Sequence, residues 1–218
     1  IGNIAIDEKG KIKSIGKKSG TSKSAEKIDL KGLVAIPGLV DMKAFVGEPG
    51  FEYKENFRTL SQAALAGGVT SIVTMPNTKP VIDNVSMVDF IIRRGRDKAK
   101  VNLFPCASIT RQMEGNQMTE FGLLKARGII GFSDVNKTIQ NSELMSRIMN
   151  YASDIDVLIM QHAEDYELAK NSCINQGEVA TRLGLQGVSD IAEKIIIERD
   201  LSLLLSLIHI SEPTRRQQ

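Results

Sequence analysis

Residues 69–107, VTSIVTMPNTKPVIDNVSMVDFIIRRGRDKAKVNLFPCA, carry the pattern from which the fold class follows. An apolar run at 69–75 is followed by a polar turn, an amphipathic stretch at 85–98 and a second apolar run at 101–107. Two apolar strands joined by a helix, repeating about every 30 residues, are typical of βαβ units. The stretch therefore predicts two parallel strands connected by a crossover helix.

The same alternation continues on both sides of this unit. It predicts strands at 38–45, 69–75, 101–107, 129–132 and 157–161, and helices at 56–66, 85–98, 119–127, 142–153 and 189–204. We expect Gly67 and Gly68 to end the first helix, because glycine is the preferred residue at such ends. Thr119, and either Asn141 or Ser142, are expected to cap the later helices.

About five βα units without closure predict an α/β fold, a partial TIM-type (β/α)8 barrel over residues 37–204. Part of a small β-sandwich is predicted before it, over residues 1–36, where a turn at 7–10 joins two alternating segments into a hairpin and 28–32 form a further short strand. Because the chain opens at Ile1 in the middle of the first predicted strand, we expect the N-terminus to be truncated.

Composition and charge narrow the class of protein. The 218 residues include 42% hydrophobic residues, which is typical of a globular chain. Lys and Arg number 28 against 26 Asp and Glu, without a long basic block, which argues against nucleic acid as the main partner. Cys106 and Cys173 match no CxxC spacing, which favours a reducing, cytoplasmic location, and no run of 18 apolar residues indicates a membrane-spanning helix.

The C-terminal residues need separate treatment. Residues 205–215, LSLIHISEPTR, resemble the in-frame translation of a transposase adapter used in DNA sequencing libraries. Residues 205–218 are therefore predicted to be a non-native tail, and His209 is given no role. The alternatives are a natural apolar helix end or an amphipathic membrane-surface segment at 201–210.

In a barrel of this kind the functional site lies at the carboxyl ends of the strands. Eight motifs occur in one order along the chain: 37–41 (PGLVD), 47–50 (GEPG), 64–68 (ALAGG), 75–80 (MPNTKP), 107–110 (ASIT), 118–121 (MTEF), 132–134 (FSD) and 162–165 (HAED). In this set the sequence resembles the dihydroorotases of the amidohydrolase superfamily, specifically the type I branch.

The resemblance implies a hydrolase of pyrimidine biosynthesis that cyclises carbamoyl aspartate to dihydroorotate with a zinc-bound hydroxide. A bound metal lowers the pKa of its water toward about 7 and so supplies a nucleophile at neutral pH. Family members hold the metals with a His-x-His pair after the first barrel strand, an aspartate after the fourth, histidines after the fifth and sixth, and a late aspartate.

This sequence departs from the family pattern at four positions, three of metal ligands and one of a substrate-binding residue. Lys43 and Phe45 replace the His-x-His pair, Gly47 replaces a substrate-binding arginine, and Val135 replaces the metal-binding aspartate. Zinc at a catalytic site takes about three N, O or S ligands, and neither a protonated amine nor an apolar group is one. We therefore expect no zinc cofactor.

Three positions of the family pattern remain. His162 matches a metal ligand, Asn77 matches a substrate-binding asparagine, and Asp134 is the first aspartate of the Ser-Asp-Asp-Gly motif. His162 and Asn77 also have structural interpretations. A single histidine at a strand end is often a hydrogen-bonded structural residue, and asparagine is common in turns.

Other residues of these motifs are expected to be structural. Glu48 to Gly50 are expected to shape the backbone, Met113 and Met118 to fill the core, and Arg93 with Arg94 to lie on a solvated helix face.

Three functions are consistent with this pattern. The favoured one is a noncatalytic dihydroorotase homologue that serves as a structural partner of aspartate transcarbamoylase, in an oligomer, without a catalytic residue of its own. The second is an active cyclic amide hydrolase that uses one metal or Lys43 in an altered site. The third is a binding module that senses a pyrimidine precursor through Asn77 and Lys43.

Overall fold

The computed structural model describes residues 2–17 and 26–210. It divides the chain into two units, Ile1–Pro37 and Gly38–Gln218, each of which is considered by itself.

The N-terminal unit contains the predicted hairpin. Strands β1 (Asn3–Ile6) and β2 (Ile12–Gly16) pair antiparallel, with Ile4 opposite Ile15. The turn between them is closed by the Asp7 carboxylate, which accepts hydrogen bonds from two backbone N–H groups further along the turn, each at 2.9 Å.

The predicted strand at 28–32 was wrong. This segment forms no strand, and it turns instead: the Leu33 N–H donates to the Leu30 carbonyl at 2.9 Å, and the Asp29 side chain accepts from the Lys31 N–H at 3.0 Å. The short-range bonds of an aspartate turn outcompete extended pairing here. Membership of residues 1–36 in a β-sandwich stays a prediction.

Strands and helices alternate through most of the C-terminal unit, as the sequence predicts. In chain order they are β3 (Leu39–Ala44), α1 (Phe57–Ala66), β4 (Val69–Thr74), α2 (Val85–Lys98), β5 (Asn102–Pro105), α3 (Phe121–Ala126), β6 (Gly131–Phe132), α4 (Ser142–Asp154) and β7 (Leu158–Ile159). A short 3-10 helix, Arg111–Met113, follows β5.

The strands of this alternation are parallel. β3, β4 and β5 form one sheet, β6 pairs with β7, and a parallel bridge between Ala107 and Phe132 joins the two groups. The Ala107 N–H donates to Gly131 at 3.1 Å, and its carbonyl accepts from Ser133 at 2.9 Å. The resulting order follows the chain order from β3 to β7, as in the first part of a (β/α)8 barrel.

Residues 166–188 contain four short elements that the sequence pattern did not predict. They are α5 (Tyr166–Ala169), β8 (Ile174–Asn175), α6 (Glu178–Leu183) and β9 (Gly187–Val188), with β8 and β9 paired in parallel. None exceeds 6 residues, and elements of this length are too short to be identified from hydrophobic periodicity.

The last helix, α7 (Ile191–Ile210), is longer than predicted and includes the first part of the proposed tail. Residues 211–218 lie outside the described residues, so the tail interpretation stays a prediction. Over the ranges 2–17 and 26–210, no helix combines the length and apolar character required to cross a membrane.

The helix ends agree with the predictions at two of three places. α1 ends at Gly67, whose N–H donates to the Ala63 carbonyl at 3.1 Å, and Asn141 caps α4 by accepting from the Leu144 N–H at 3.0 Å. The predicted Thr119 cap was wrong: α3 begins two residues later, and the buried Thr119 hydroxyl donates to the Ser108 carbonyl at 2.8 Å.

A central core packs the helices against the strands. The Phe121 and Phe132 rings stack with centroids 4.0 Å apart, which links α3 to β6. Met118 packs against this core, as predicted, and the deepest helix residues in it are Phe57, Val88, Ile91, Phe121, Leu124 and Ile148. A smaller strand-end cluster consists of Val73, Met75, Cys106 and Val135, with Met113 and Met160 against it.

Strands β3 and β7 mark the two edges of the parallel array. Among the described residues β3 pairs with β4 alone and β7 with β6 alone. The side chains of Val40 and Met42 on β3 are 62% and 57% exposed. Free strand edges bearing exposed apolar residues favour association with other chains.

We predict that the isolated chain associates rather than remaining a monomer. Light scattering after size exclusion should show association, and a dye for apolar surface should bind. Met42→Lys should reduce both signals, whereas Lys13→Glu on the N-terminal hairpin should not. A wild-type chain that elutes as a monomer and binds little dye would contradict the prediction.

Candidate functional site

The loops that follow β3 to β7 meet at one edge of the sheet. Backbone hydrogen bonds hold the strand ends in register, from Met75 N–H to Ala44 at 3.0 Å, from Cys106 N–H to Thr74 at 2.9 Å and from Met160 N–H to Phe132 at 2.8 Å. All the candidate residues lie in these loops or at these ends, where such barrels carry their sites.

Asp134 joins two of the loops. One oxygen of its buried carboxylate accepts from the Ile109 N–H at 2.8 Å and the Thr110 N–H at 3.0 Å, and the other accepts from the Thr110 hydroxyl. Burial raises the pKa of the Asp134 carboxyl, partly offset by these hydrogen bonds and by Lys137. Its role is therefore to connect the loop after β6 to the loop after β5.

Val135 occupies the position where the resemblance implies a metal-binding aspartate. Its side chain is buried in the strand-end cluster, and its φ of 62° lies in the left-handed region. A β-branched residue is rarely found there, whereas Asp, Asn and Gly adopt this conformation more readily. The backbone at this position thus has a conformation better suited to aspartate than to valine.

Lys43 and Phe45 lie two residues apart and therefore on the same face of the β3 segment. Both are exposed, while Ala44 between them is buried on the opposite face. The Lys43 N–H donates to the Asp41 carboxylate at 3.0 Å. Neither side chain supplies a zinc ligand at neutral pH.

His162 lies in the loop after β7. Its side chain is 35% exposed, and its Nε2 is 3.7 Å from Glu164 Oε2. Its carbonyl accepts from the Thr138 hydroxyl at 2.6 Å, and that hydroxyl accepts from the Glu164 N–H at 3.1 Å. Thr138, which the sequence pattern did not single out, therefore fixes this loop, and the metal-ligand role of His162 stays a prediction.

Asn77 has a buried Oδ1 that accepts no hydrogen bond from any of the described residues. Gln161 Nε2, just before His162, likewise donates none to these residues. Buried polar groups in folded proteins are nearly always paired, so these two atoms have unused hydrogen-bonding capacity at the strand-end edge. Such an oxygen is suited to the ligand-binding role predicted for Asn77, which stays a prediction.

The loop after β3 is anchored by Glu48. The buried carboxylate accepts from the Phe57 N–H at 3.2 Å and pairs with the Arg94 guanidinium of α2, which raises the pKa of Arg94. Arg94 is therefore more than a solvated helix residue, which corrects the expectation for this position. Glu48 shapes the loop, as expected.

Gly47 is required by close packing of the same loop. A Cβ at this position would overlap the Phe51 carbonyl and lie 2.8 Å from the Glu55 carbonyl oxygen. The Phe51 N–H also donates back to the Gly47 carbonyl at 2.6 Å. The loop thus leaves no space for the arginine that the family resemblance implies at position 47.

The residues present do not fit the zinc centre that the resemblance implies. Lys43, Phe45 and Val135 offer an ammonium group and two apolar groups, and His162 Nε2 lies 3.7 Å from the Glu164 carboxylate. Within the described ranges no three His, Cys, Asp or Glu residues lie close enough together to bind a metal. No step of a reaction is therefore assigned to zinc here.

We predict that replacing Asp134 destabilises the chain according to the hydrogen bonds lost. Asp134→Ala leaves two buried N–H groups without an acceptor and should cost about 2–4 kcal/mol, whereas Asp134→Asn keeps an accepting oxygen and should cost about 1 kcal/mol. Urea denaturation measures both, with Asp154→Asn at an exposed position of α4 as the control. Equal effects of the two variants would contradict this role.

The raised pKa of Asp134 also predicts the direction in which stability changes with pH. Between the unfolded value of about 3.9 and the raised folded value, the folded state binds the proton more tightly, so stability falls as pH increases. Asp134→Asn should remove this component of the pH dependence, measured by urea denaturation across the acidic range. An unchanged pH profile would show that the carboxyl does not titrate in the folded chain.

Comparison with known proteins agrees with the motifs. A family model described as "Dihydro-orotase-like" matches residues 32–206. The dihydroorotase of Syntrophus aciditrophicus is 42% identical over 211 residues, covering 94% of this chain and 50% of that protein. The dihydroorotase of Trichlorobacter lovleyi is 42% identical over 198 residues, covering 91% and 47%. The chain thus spans about half the length of the curated relatives it matches.

Solved structures superpose on most of this chain and confirm the predicted α/β, partial (β/α)8-barrel fold class. L-hydantoinase (dihydropyrimidinase) from Arthrobacter aurescens superposes with a TM-score of 0.74 at 18% identity, covering 94% of this chain and 47% of that one. Dihydroorotase from Saccharomyces cerevisiae gives 0.54 at 15% identity, covering 78% and 45%. Since the family model matches well over half of the residues, the chain belongs to the dihydroorotase-like family.

Proposed function

We propose that this protein is a noncatalytic, cytoplasmic homologue of dihydroorotase that acts in pyrimidine biosynthesis. The observation that carries the proposal is Val135, an apolar residue buried among Val73, Met75 and Cys106 where the family resemblance implies a metal-binding carboxylate. A carboxylate there would need a partner for its charge, and the cluster offers none.

The contrast between scaffold and ligand positions supports the proposal. Asp134 and Glu48, which hold the loops, keep all their hydrogen-bond partners. Lys43 and Phe45 lack the chemistry of zinc ligands, and the backbone around Gly47 leaves no room for a larger residue. Expected ligand positions without zinc-binding side chains, on loops that are still held by hydrogen bonds, are consistent with a protein retained for its fold and surface.

The proposed partner is aspartate transcarbamoylase, with the protein as a structural subunit of a hetero-oligomer. Support comes from the family resemblance together with the altered ligand positions. Such a role requires an intact barrel surface, which the well-packed core between α1 to α4 and the strands would supply.

A second candidate is supported by the unused oxygen of Asn77. A buried acceptor at the strand-end edge, together with the exposed Lys43 ammonium, is suited to binding a small anionic amide. The corresponding functions are a sensor of a pyrimidine precursor, or an active dihydroorotase-type cyclic amide hydrolase with an altered or single-metal site at His162. Dihydroorotate titration and turnover assays separate these from the noncatalytic role.

We predict that the full-length gene product, purified without chelator, contains no stoichiometric zinc and does not hydrolyse dihydroorotate. A Lys43→His, Phe45→His, Val135→Asp variant should gain zinc, because its three new side chains are ligands at matching positions. The alanine variant at the same three positions is the control, and elemental analysis is the measurement. One or two zinc ions per wild-type chain, with chelator-sensitive turnover, would refute the proposal.

We also predict that the full-length product copurifies with aspartate transcarbamoylase of the same organism. Coexpression followed by size exclusion with light scattering should show one complex at micromolar concentration. Elution of the two chains as separate species would rule out a stable complex.

A further inference from the structure

The strand-end cluster is unusually rich in sulfur. Four of its six side chains carry a sulfur atom, although the whole chain has only 8 Met and 2 Cys among 218 residues. These four are Met75, Cys106, Met113 and Met160. Valine side chains complete the cluster, which contains no carboxylate, imidazole or ammonium group.

Three of the sulfur residues occupy equivalent positions. Met75, Cys106 and Met160 are each the first residue after a strand, following β4, β5 and β7 respectively. Thr74 and Pro105 are paired in the parallel register, so the next residues, Met75 and Cys106, lie side by side. Equivalent positions on neighbouring parallel strands direct the Met75 and Cys106 side chains to the same region. Met160 follows β7, which β6 separates from β5, and its side chain packs against the same cluster.

Met113 covers this group from the loop after β5. Gln112 and Met113 both have positive φ, at 53° and 54°, which turns the chain back toward the strand ends. The turn is held by Asp83, whose carboxylate accepts from the Gln112 backbone N–H at 3.1 Å and from its side-chain amide at 2.8 Å. The Met113 side chain thereby packs against the cluster.

We propose that Met75, Cys106 and Met160 form a binding site for a monovalent soft metal ion, Cu(I). Two thioethers and one thiol are ligands that Cu(I) prefers, whereas zinc and magnesium favour nitrogen or oxygen. Binding releases the thiol proton to solvent as the Cu–S bond forms, Cys-SH + Cu⁺ → Cys-S-Cu + H⁺, with no change in oxidation state. The thiolate charge neutralises the ion within an apolar environment.

This inference goes beyond the proposed function and is tested separately from it. A protein without zinc or turnover can bind Cu(I) or fail to bind it, since the sulfur residues are not the positions from which zinc ligands are missing. Val135 and Val73 contribute apolar walls that exclude water, and neither competes for the metal.

The test is anaerobic titration of the wild-type chain with Cu(I) in competition with a chromophoric Cu(I) chelator. We expect one Cu(I) per chain and an increase in the melting temperature. Met75→Leu and Met160→Leu, which conserve volume and should fold, are each expected to weaken binding by about 10-fold or more, and Cys106→Ala to abolish it. Circular dichroism of each variant verifies the fold.

Two control variants test whether Cu(I) binding depends on this site or on sulfur side chains elsewhere in the chain. Met145→Leu replaces a buried methionine of the central core, and Cys173→Ser removes the exposed cysteine. Both should leave the Cu(I) affinity within about 2-fold of wild type. Failure of the wild-type chain to compete with the chelator, loss of binding in Cys173→Ser, or equal weakening by Met145→Leu and Met75→Leu would each overturn the proposal.

Discussion

The carboxylate of Asp134 is the interaction that holds the strand-end edge of this protein together. It accepts hydrogen bonds from two consecutive backbone N–H groups and one hydroxyl of the loop after β5, although it belongs to the loop after β6. Because the two loops follow neighbouring strands, the carboxylate replaces sheet hydrogen bonds beyond the point where β5 and β6 end. The position of Val135, the next residue, follows directly from this connection.

These hydrogen bonds connect the two loops through groups other than the side chains at positions 43, 45 and 135. Glu48 plays the same part for the loop after β3, which it connects to α1 and α2. Each of these carboxylates is buried and paired, which is the condition under which a charge is tolerated inside a protein. The residues at the expected ligand positions, such as Val135, can therefore differ while the fold stays the same.

Much of the fold could be predicted from the sequence because the strands and helices of the barrel are long and periodic. The alternation from β3 to β7 and the end of α1 at Gly67 follow from local patterns. Elements of residues 166–188 are too short for such patterns, and the Thr119 cap failed because its hydroxyl serves a loop carbonyl. At the site, the sequence identifies Lys43, Phe45 and Val135 as residue types that are not zinc ligands, but the roles of Thr138 and Arg94 depend on contacts between residues distant in sequence.

The central claim is that the Asp134 carboxylate, rather than a metal ion, holds the strand-end edge. Amide hydrogen exchange at Ile109 and Thr110 tests it most directly, because both N–H groups donate to this carboxylate. Both amides should be protected to the same extent in excess chelator, in excess zinc and in neither. Exchange that accelerates in chelator and slows again with zinc would contradict the claim.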